Sequence, residues 1–197
     1  MTKPNIGLIG VGPWGRNHLR NWHALGALRM VCDTDDARLR DALAEYPDVD
    51  HTTQVDELLD HPEVEAVAVV TPAATHFELA RRALERGKDV FVEKPLSLTV
   101  PEGEELVRAA RKHDRILMVG HVLVYHAAVK RLQELVAEGA LGRIQYIYSN
   151  RLNLGKIRTE ENSLWSFAPH DVALTLGLTG ALPDTVACQG GDYLSQD

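Results

Sequence analysis

Short apolar runs alternate with amphipathic stretches between residues 6 and 121. Continuous apolar runs indicate strands covered on both faces, and the helical periodicity between them indicates crossover helices. The predicted strands cover residues 6–9, 27–32, 66–70, 90–92 and 116–119. The predicted helices cover residues 16–25, 37–45, 75–86 and 99–113, with a turn and short helix over 51–60. This succession predicts the α/β class, with a doubly wound parallel sheet that carries helices on both faces.

The pattern changes after His121, where we place a domain boundary. Beyond it we expect helices over 125–138 and 169–178, a half-covered strand over 144–152, a polar loop over 153–163 and a short strand over 185–188. Two strands bury little surface and make a poor sheet by themselves. Residues 1–121 are therefore predicted to form one domain, and residues 122–197 a second region with too few strands for a sheet of its own.

The first strand leads into the turn Gly10-Val11-Gly12-Pro13-Trp14-Gly15, and a helix follows. In a dinucleotide-binding turn, the first glycine allows the tight turn, the second lets a pyrophosphate approach, and the third lets the helix pack on the strand. The helix N-terminus presents unpaired N–H groups to the phosphates. Glycines also mark ordinary βαβ turns, but here the spacing and both flanking strands agree with nucleotide binding.

Asp33 ends the second predicted strand, where a carboxylate can hold both hydroxyls of an adenosine ribose. Its negative charge would repel the 2′-phosphate of NADP, and no arginine follows it directly. NAD is therefore predicted in preference to NADP. Arg38 and Arg40 are interpreted as surface residues of the next helix.

Composition narrows the classes of function. The formal net charge of −7 argues against a nucleic-acid surface, which needs clustered lysine and arginine. Cys32 and Cys188 have no metal-ligand spacing, so no metal site is predicted, and Cys32 is interpreted as a buried strand residue. No apolar run is long enough to cross a membrane, and no signal peptide precedes the first strand. We therefore expect a cytoplasmic protein without a nucleic-acid or membrane partner.

Glu93-Lys94-Pro95 ends a predicted buried strand at the carboxyl edge of the sheet, where open α/β sheets bind ligands. Lys94 has two interpretations. It is either a solvated surface residue or a partly desolvated amine beside a cationic nicotinamide ring. In the second case the neutral amine is favoured, and it could accept a proton during a reaction.

Two further segments end strands at the same edge. Thr71-Pro72 and His76 form either a wall of the cofactor pocket or a helix-capping loop, with a capping box between Thr75 and Glu78. Both interpretations can hold together. His121 either lines the site or is a satisfied core residue.

A second polar cluster spans residues 166–171. His170 is predicted at a helix start behind a proline, where the helix dipole would favour a neutral imidazole that acts as a base. Asp171 either orients His170 or is simply an acid of the first helical turn. The positive charges of residues 151–158 belong either to a solvated loop or to a clamp for anionic substrate groups.

Taken together, these motifs resemble the Gfo/Idh/MocA family of NAD(P)-dependent oxidoreductases over the whole chain. The resemblance rests on the glycine turn, Thr71-Pro72, Glu93-Lys94-Pro95, Gly120-His121 and Pro169-His170-Asp171. The resemblance implies an NAD-binding Rossmann domain over residues 1–121, followed over 122–197 by the incomplete beginning of an α+β domain for substrate binding and oligomerisation. Residues 150–155 and 164–171 are similar to a branch that oxidises the C3 hydroxyl of a UDP-N-acetylhexosamine or its uronic acid. The alternatives are a free-sugar or polyol dehydrogenase of inositol or glucose type, and a non-catalytic NAD-binding module.

The resemblance also implies roles for single residues. Lys94 is implied as the catalytic lysine, His170 as the active-site histidine, and Pro95 as a cis-proline. Substrate binding is implied for Asn153, Arg158 and His170. The implied cofactor contacts are Gly10, Gly12, Pro13, Trp14, Gly15, Asp33, Thr71, Pro72, His76, Glu93, Lys94 and His121.

The sequence departs from the family pattern in two respects. Ser166 stands where many members carry an aspartate, and a serine cannot supply its negative charge. Lys94 and His170 would then share the proton transfer. Family members usually continue well past residue 197, so the second domain, and any homo-oligomer formed through it, would require further chain.

Overall fold

Six parallel strands form one sheet, and the computed structural model describes residues 4–152 and 163–191 of the chain. The strand order is β3-β2-β1-β4-β5-β6. The strands are β1 (Ile6–Ile9), β2 (Leu28–Cys32), β3 (Asp50–Thr52), β4 (Ala66–Val69), β5 (Asp89–Glu93) and β6 (Leu117–Gly120). The order reverses on either side of β1, as in a doubly wound sheet, which confirms the predicted fold class.

In the described residues, five helices connect the strands as the periodicity predicts, and two more follow the last strand. They are α1 (Gly15–Ala24), α2 (Asp36–Leu43), α3 (Val55–Leu59), α4 (His76–Glu85), α5 (Val100–Lys112), α6 (Ala127–Ala137) and α7 (Ser163–Thr179). Short 3₁₀ segments cover Ala73–Thr75 and Val122–Tyr125. The α5 N-terminus has a capping box, in which the Thr99 hydroxyl and the Glu102 carboxylate each accept a backbone N–H of the other residue.

The core lies on both faces of the sheet. Successive residues of one strand join different clusters: Leu8 packs with α1 and α2 on one face, and Ile9 packs with α4 and α5 on the other. The same alternation separates Val31 from Cys32, which is buried. Full burial of such a side chain contributes about 1.5–3 kcal/mol, so this double-sided core fixes the register of the strands that carry the site.

The strand β3 was not expected from the sequence, which predicts a turn over its residues. Asp50 and His51 are exposed, and only Thr52 is buried, so this short edge strand carries no apolar pattern. It forms because its backbone pairs with β2, from Met30 to Cys32. Backbone pairing at a sheet edge leaves little trace in side-chain hydropathy.

The described chain divides into two units by its internal contacts. The first comprises residues 4–121 and 163–169, and the second comprises residues 122–152 and 170–191. In the second unit, the predicted strands over 144–152 and 185–188 are wrong, because the described residues there form no strand. Tyr146 and Tyr148 are about four-fifths exposed, at 82% and 78%. An alternating pattern becomes a strand only where another strand pairs with it, and none does so in the described part of this unit.

Among the described residues, none of the helices combines the length and the apolar character that a membrane span requires.

Candidate active site

The β1–α1 turn places three glycines where side chains cannot fit or are not needed. Gly10 has φ +96°, and a Cβ on it would lie 2.4 Å from the Val70 carbonyl oxygen. A Cβ on Gly15 would lie 2.1 Å from the Gly10 carbonyl oxygen, so the helix can start here only without a side chain. A Cβ on Gly12 would meet nothing within 4 Å. Gly10 and Gly15 thus pack against the protein backbone, while the space beside Gly12 is free of protein atoms. This arrangement fits a pyrophosphate bound at Gly12.

Asp33 follows β2 and is 6% exposed. Its Oδ2 accepts the Val11 N–H at 2.9 Å, and its Oδ1 accepts the Asp35 N–H at 3.0 Å. Arg38 is exposed on the surface of the next helix, as predicted, and its guanidinium also donates to Oδ1 at 3.1 Å. Arg40 does pair with Asp36 on the helix surface. Asp33 therefore holds the glycine turn to the end of β2, beside a cation.

We expect Asp33→Ala to weaken NAD binding about 10- to 100-fold, because charge-assisted hydrogen bonds contribute about 1.5–3 kcal/mol each. It should also reduce the preference for NAD over NADP, since the repelling carboxylate is gone and Arg38 remains. Titration with both cofactors measures the two effects. Asp36→Ala is the matched control, because it removes an exposed carboxylate from the same helix start and should leave both affinities unchanged. An unchanged cofactor preference in Asp33→Ala would contradict this role.

Lys94 lies directly after β5, in the same carboxyl edge of the sheet as the glycine turn. Its side chain is half-buried, and its Nζ donates to the Ser166 carbonyl oxygen at 3.3 Å. The Lys94–Pro95 peptide is cis, as predicted. Lys94 is thus held by the protein at the edge where ligands bind, and it is not a freely solvated surface lysine.

Glu93, which the resemblance implies as a cofactor contact, is 8% exposed and accepts hydrogen bonds from protein donors. Its Oε1 accepts the Trp14 indole N–H and the His18 Nε2–H, both at 2.8 Å. Burial opposes ionisation, but these hydrogen bonds outweigh it and lower the pKa of the Glu93 carboxyl. A lowered pKa means that the carboxylate stabilises the fold above the ordinary carboxyl range, and that this contribution is lost as the pH falls through the lowered value.

His76 is also buried, at 1% exposed, although the sequence suggests a cofactor contact. Its Nδ1 lies 2.7 Å from the Pro95 carbonyl oxygen, and its Nε2 lies 2.8 Å from the Thr71 carbonyl oxygen. The His76 ring therefore lies between the loop that carries Thr71 and the loop that carries Pro95. Thr75 is the N-cap of α4, as predicted, but the predicted capping box is wrong, because the Thr75 hydroxyl bonds to the Pro72 carbonyl and the Thr71 hydroxyl.

His121 follows β6 at the same edge and is half-buried. Burial lowers the pKa of its imidazole, and the neighbouring Glu93 carboxylate opposes this in part. Its Nδ1 is buried and has no hydrogen-bond partner among the residues that the structure describes. His121 therefore lies at this edge with its neutral imidazole favoured and its Nδ1 enclosed by protein atoms.

In the second unit, His170 lies inside α7 rather than at its start. The dipole argument for a neutral base at a helix N-terminus therefore does not apply to His170. Asp171 is not a first-turn acid either: it accepts hydrogen bonds from Ser149 at 2.9 Å and Arg151 at 3.1 Å. Partial burial opposes ionisation, but these bonds lower the pKa of Asp171. Arg151 is thus engaged by a carboxylate, while Asn153 and Arg158 lie outside the described residues.

Two residues of this site were missed in the sequence, His18 and Arg38. A signal for His18 was present, because Trp14, His18 and Trp22 are spaced by four residues and share one face of α1. Within residues 4–152 and 163–191, no group of three or more histidine, cysteine or acidic side chains could hold a metal ion.

Residues 4–121 match the family described as "Oxidoreductase family, NAD-binding Rossmann fold", named GFO_IDH_MocA. The chain belongs to this family, and NAD is its cofactor.

Individual relatives show how far the similarity reaches. UDP-N-acetylglucosamine 3-dehydrogenase of Acidithiobacillus ferrooxidans is 33% identical over 197 residues, which cover 96% of this chain and 59% of that protein. A solved structure of that enzyme, GnnA, matches with a TM-score of 0.87 and 33% identity, over 99% of this chain and 60% of the other. The 2,7-anhydro-N-acetylneuraminate hydratase of Mediterraneibacter gnavus is 30% identical, over 100% of this chain and 54% of that protein. The chain thus spans only a little more than half the length of these curated relatives.

Proposed function

We propose that this chain forms the cofactor half, and the first part of the substrate half, of an NAD-dependent sugar dehydrogenase. The proposed substrate is a secondary alcohol, at C3 of a UDP-N-acetylhexosamine or its uronic acid. The observation that carries the proposal is the position of Lys94. It is half-buried and held at the sheet edge that also carries the open glycine turn and Asp33.

The proposed chemistry divides between protein and cofactor. NAD supplies the hydride acceptor when bound. The turn from Gly10 to Gly15 binds its pyrophosphate, and Asp33 binds its adenosine ribose. Thr71, Pro72 and His121 line the same edge. Lys94 accepts the proton of the substrate hydroxyl, so that the carbinol carbon can release its hydride in the same step.

The substrate side of the proposal rests on sequence motifs and similarity rather than on the geometry of one site. His170 is proposed as a second proton-transfer residue, and Asn153 and Arg158 as contacts to the substrate. The choice of a UDP-linked sugar follows the 33% identity to a UDP-N-acetylglucosamine 3-dehydrogenase. A hydratase among the relatives shows that members of the family differ in reaction and substrate.

Two other functions are consistent with parts of the site. A free-sugar or polyol dehydrogenase would use Lys94 and the cofactor turn in the same way, without the UDP group. A non-catalytic NAD-binding module would use the turn and Asp33 alone. The held position of Lys94 favours an enzyme over a module.

The test is an absorbance assay for NADH, in which a chain extended to the relatives' length is mixed with NAD and a panel of UDP-sugars or the matching free sugars. We expect NADH formation with a UDP-N-acetylhexosamine or its uronic acid and none with the free sugar. Turnover of the free sugar at an equal rate would support the polyol alternative. NAD binding by calorimetry, without turnover of any sugar by a chain extended to the relatives' length, would support the module.

A further inference from the structure

A buried carboxylate joins two parts of the cofactor edge that are far apart in sequence. Glu93 ends β5, while Trp14 and His18 belong to the glycine turn and the first turns of α1. The indole N–H and the imidazole Nε2–H both donate to the same Glu93 oxygen at 2.8 Å. Because a carboxylate oxygen only accepts, His18 must carry its proton on Nε2 in this contact.

The second oxygen of Glu93 points to the lysine loop. Its Oε2 accepts the backbone N–H of Lys94 at 3.2 Å. One carboxylate therefore contacts the phosphate-binding turn with one oxygen and the Lys94 backbone with the other. Each of its contacts reaches an element proposed to touch NAD or substrate.

The surroundings leave room for this carboxylate and keep water away from it. Gly120 pairs with Glu93 across β5 and β6, and a Cβ on Gly120 would lie 3.0 Å from Glu93 Oε1. His18 lies 5.4 Å from the Phe91 ring and stacks at 6.5 Å on Trp22. The His18 and Glu93 side chains are only 16% and 10% exposed. Hydrogen bonds to charged groups are stronger in such a dry setting than on the surface.

We propose that Glu93 is a positioning residue, whose carboxylate holds the phosphate-binding turn, through Trp14 and His18, in fixed register with the Lys94 loop. It acts on NAD through these residues rather than by touching it. The inference rests on the proposed function only for the role of Lys94. Holding the turn in its binding geometry before NAD arrives reduces the ordering cost of binding, so the hydrogen bonds should appear in the affinity for NAD.

The test measures NAD affinity by calorimetry and thermal stability in parallel, on the full chain. Trp14→Phe and His18→Phe each remove one N–H donor and keep a ring, and each should raise the Kd for NAD roughly fivefold. Glu93→Gln should raise it roughly tenfold. A glutamine has a single acceptor oxygen, so it cannot satisfy both the side-chain donors and the Lys94 N–H.

Matched controls separate positioning from packing. Trp22→Phe removes an indole N–H on the same face of α1, and this N–H has no partner among the described residues. His23→Phe removes a half-buried histidine of the same helix. Both should leave the Kd for NAD unchanged, even where the Tm falls. His18→Gln keeps an N–H donor at a similar reach and should recover most of the affinity that His18→Phe loses.

The outcomes are distinct. A lower Tm with an unchanged Kd in Trp14→Phe, His18→Phe and Glu93→Gln would overturn the inference and leave Glu93 as a structural residue. Equal Kd values for His18→Phe and His18→Gln would overturn it as well. Because the assay needs no substrate, a failure to find a reacting sugar would count against the proposed function and not against this inference.

Discussion

Replacing Lys94 with methionine should reduce turnover at least about 100-fold, because general acid–base catalysis contributes about 10²–10⁴-fold to a rate. Methionine is apolar and similar in length, so it keeps the packing of the half-buried side chain and removes only the amine. The lost hydrogen bond to the Ser166 carbonyl is a single contact to the backbone. NAD affinity should therefore stay within about twofold of the starting value, since the change removes little net binding energy.

Steady-state NADH formation and NAD titration measure the two quantities separately. Lys112→Met is the matched control, because Lys112 is exposed at the end of α5, and we expect it to leave both quantities unchanged. Full turnover in Lys94→Met would exclude Lys94 as the proton acceptor. Loss of NAD binding in that variant would instead assign Lys94 to cofactor binding alone.

A single methyl group on Gly15 should remove NAD binding. A Cβ there would lie 2.1 Å from the Gly10 carbonyl oxygen, and backbone atoms cannot move aside as a flexible side chain can. The α1 N-terminus must therefore shift away from β1, which carries its N–H groups out of reach of the pyrophosphate. Gly15→Ala should weaken NAD binding more than about 100-fold and lower the free energy of unfolding by about 1–3 kcal/mol, as for other overpacked sites.

Two other glycines make this prediction specific. Gly12→Ala should keep the stability, because its Cβ would meet no protein atom within 4 Å, but should weaken NAD binding by occupying the space of the pyrophosphate. Gly190→Ala, at another open position, should change neither. Chemical denaturation and calorimetry on the three variants measure the two quantities. Equal affinities in all three would show that the turn does not bind the phosphates.

Residues 4–121 of the first unit could be predicted from the sequence, because every strand except β3 is largely apolar and α1, α2, α4 and α5 are amphipathic. These patterns can be recognised within short segments of the chain. The structure keeps the predicted elements because their apolar side chains are buried on both faces of the sheet, which stabilises the fold. In the second unit, some local patterns predict strands, but the described residues of this unit contain no strand that pairs with them. The alternation around Tyr146 and Tyr148 predicts a strand, but no neighbouring strand pairs with it.

The candidate site likewise contains residues that the sequence predicts and contacts that it does not. Gly10, Gly15 and Asp33 follow from spacing along the chain, whereas the contacts between distant residues required the fold. Glu93 accepts the indole N–H of Trp14, 79 residues away in sequence, because only β4 lies between β1 and β5 in the sheet. Arg38 is close to Asp33 in sequence, but its contact depends on where α2 begins after β2. His170 was misplaced because α7 extends through Pro169, where a proline normally indicates a first helical turn.

The burial of Cys32 makes the two thiols of this chain chemically different. Burial in the sheet raises the pKa of the Cys32 thiol to about 11, and the neighbouring Asp33 carboxylate adds to the effect. Cys188 in the second unit is exposed. Since only a thiolate attacks a maleimide or a disulfide reagent, a dye added at neutral pH selects Cys188 over Cys32 without any engineered mutation. The native sequence thus offers a single attachment point for a fluorophore that reports on the second unit while NAD binds to the first.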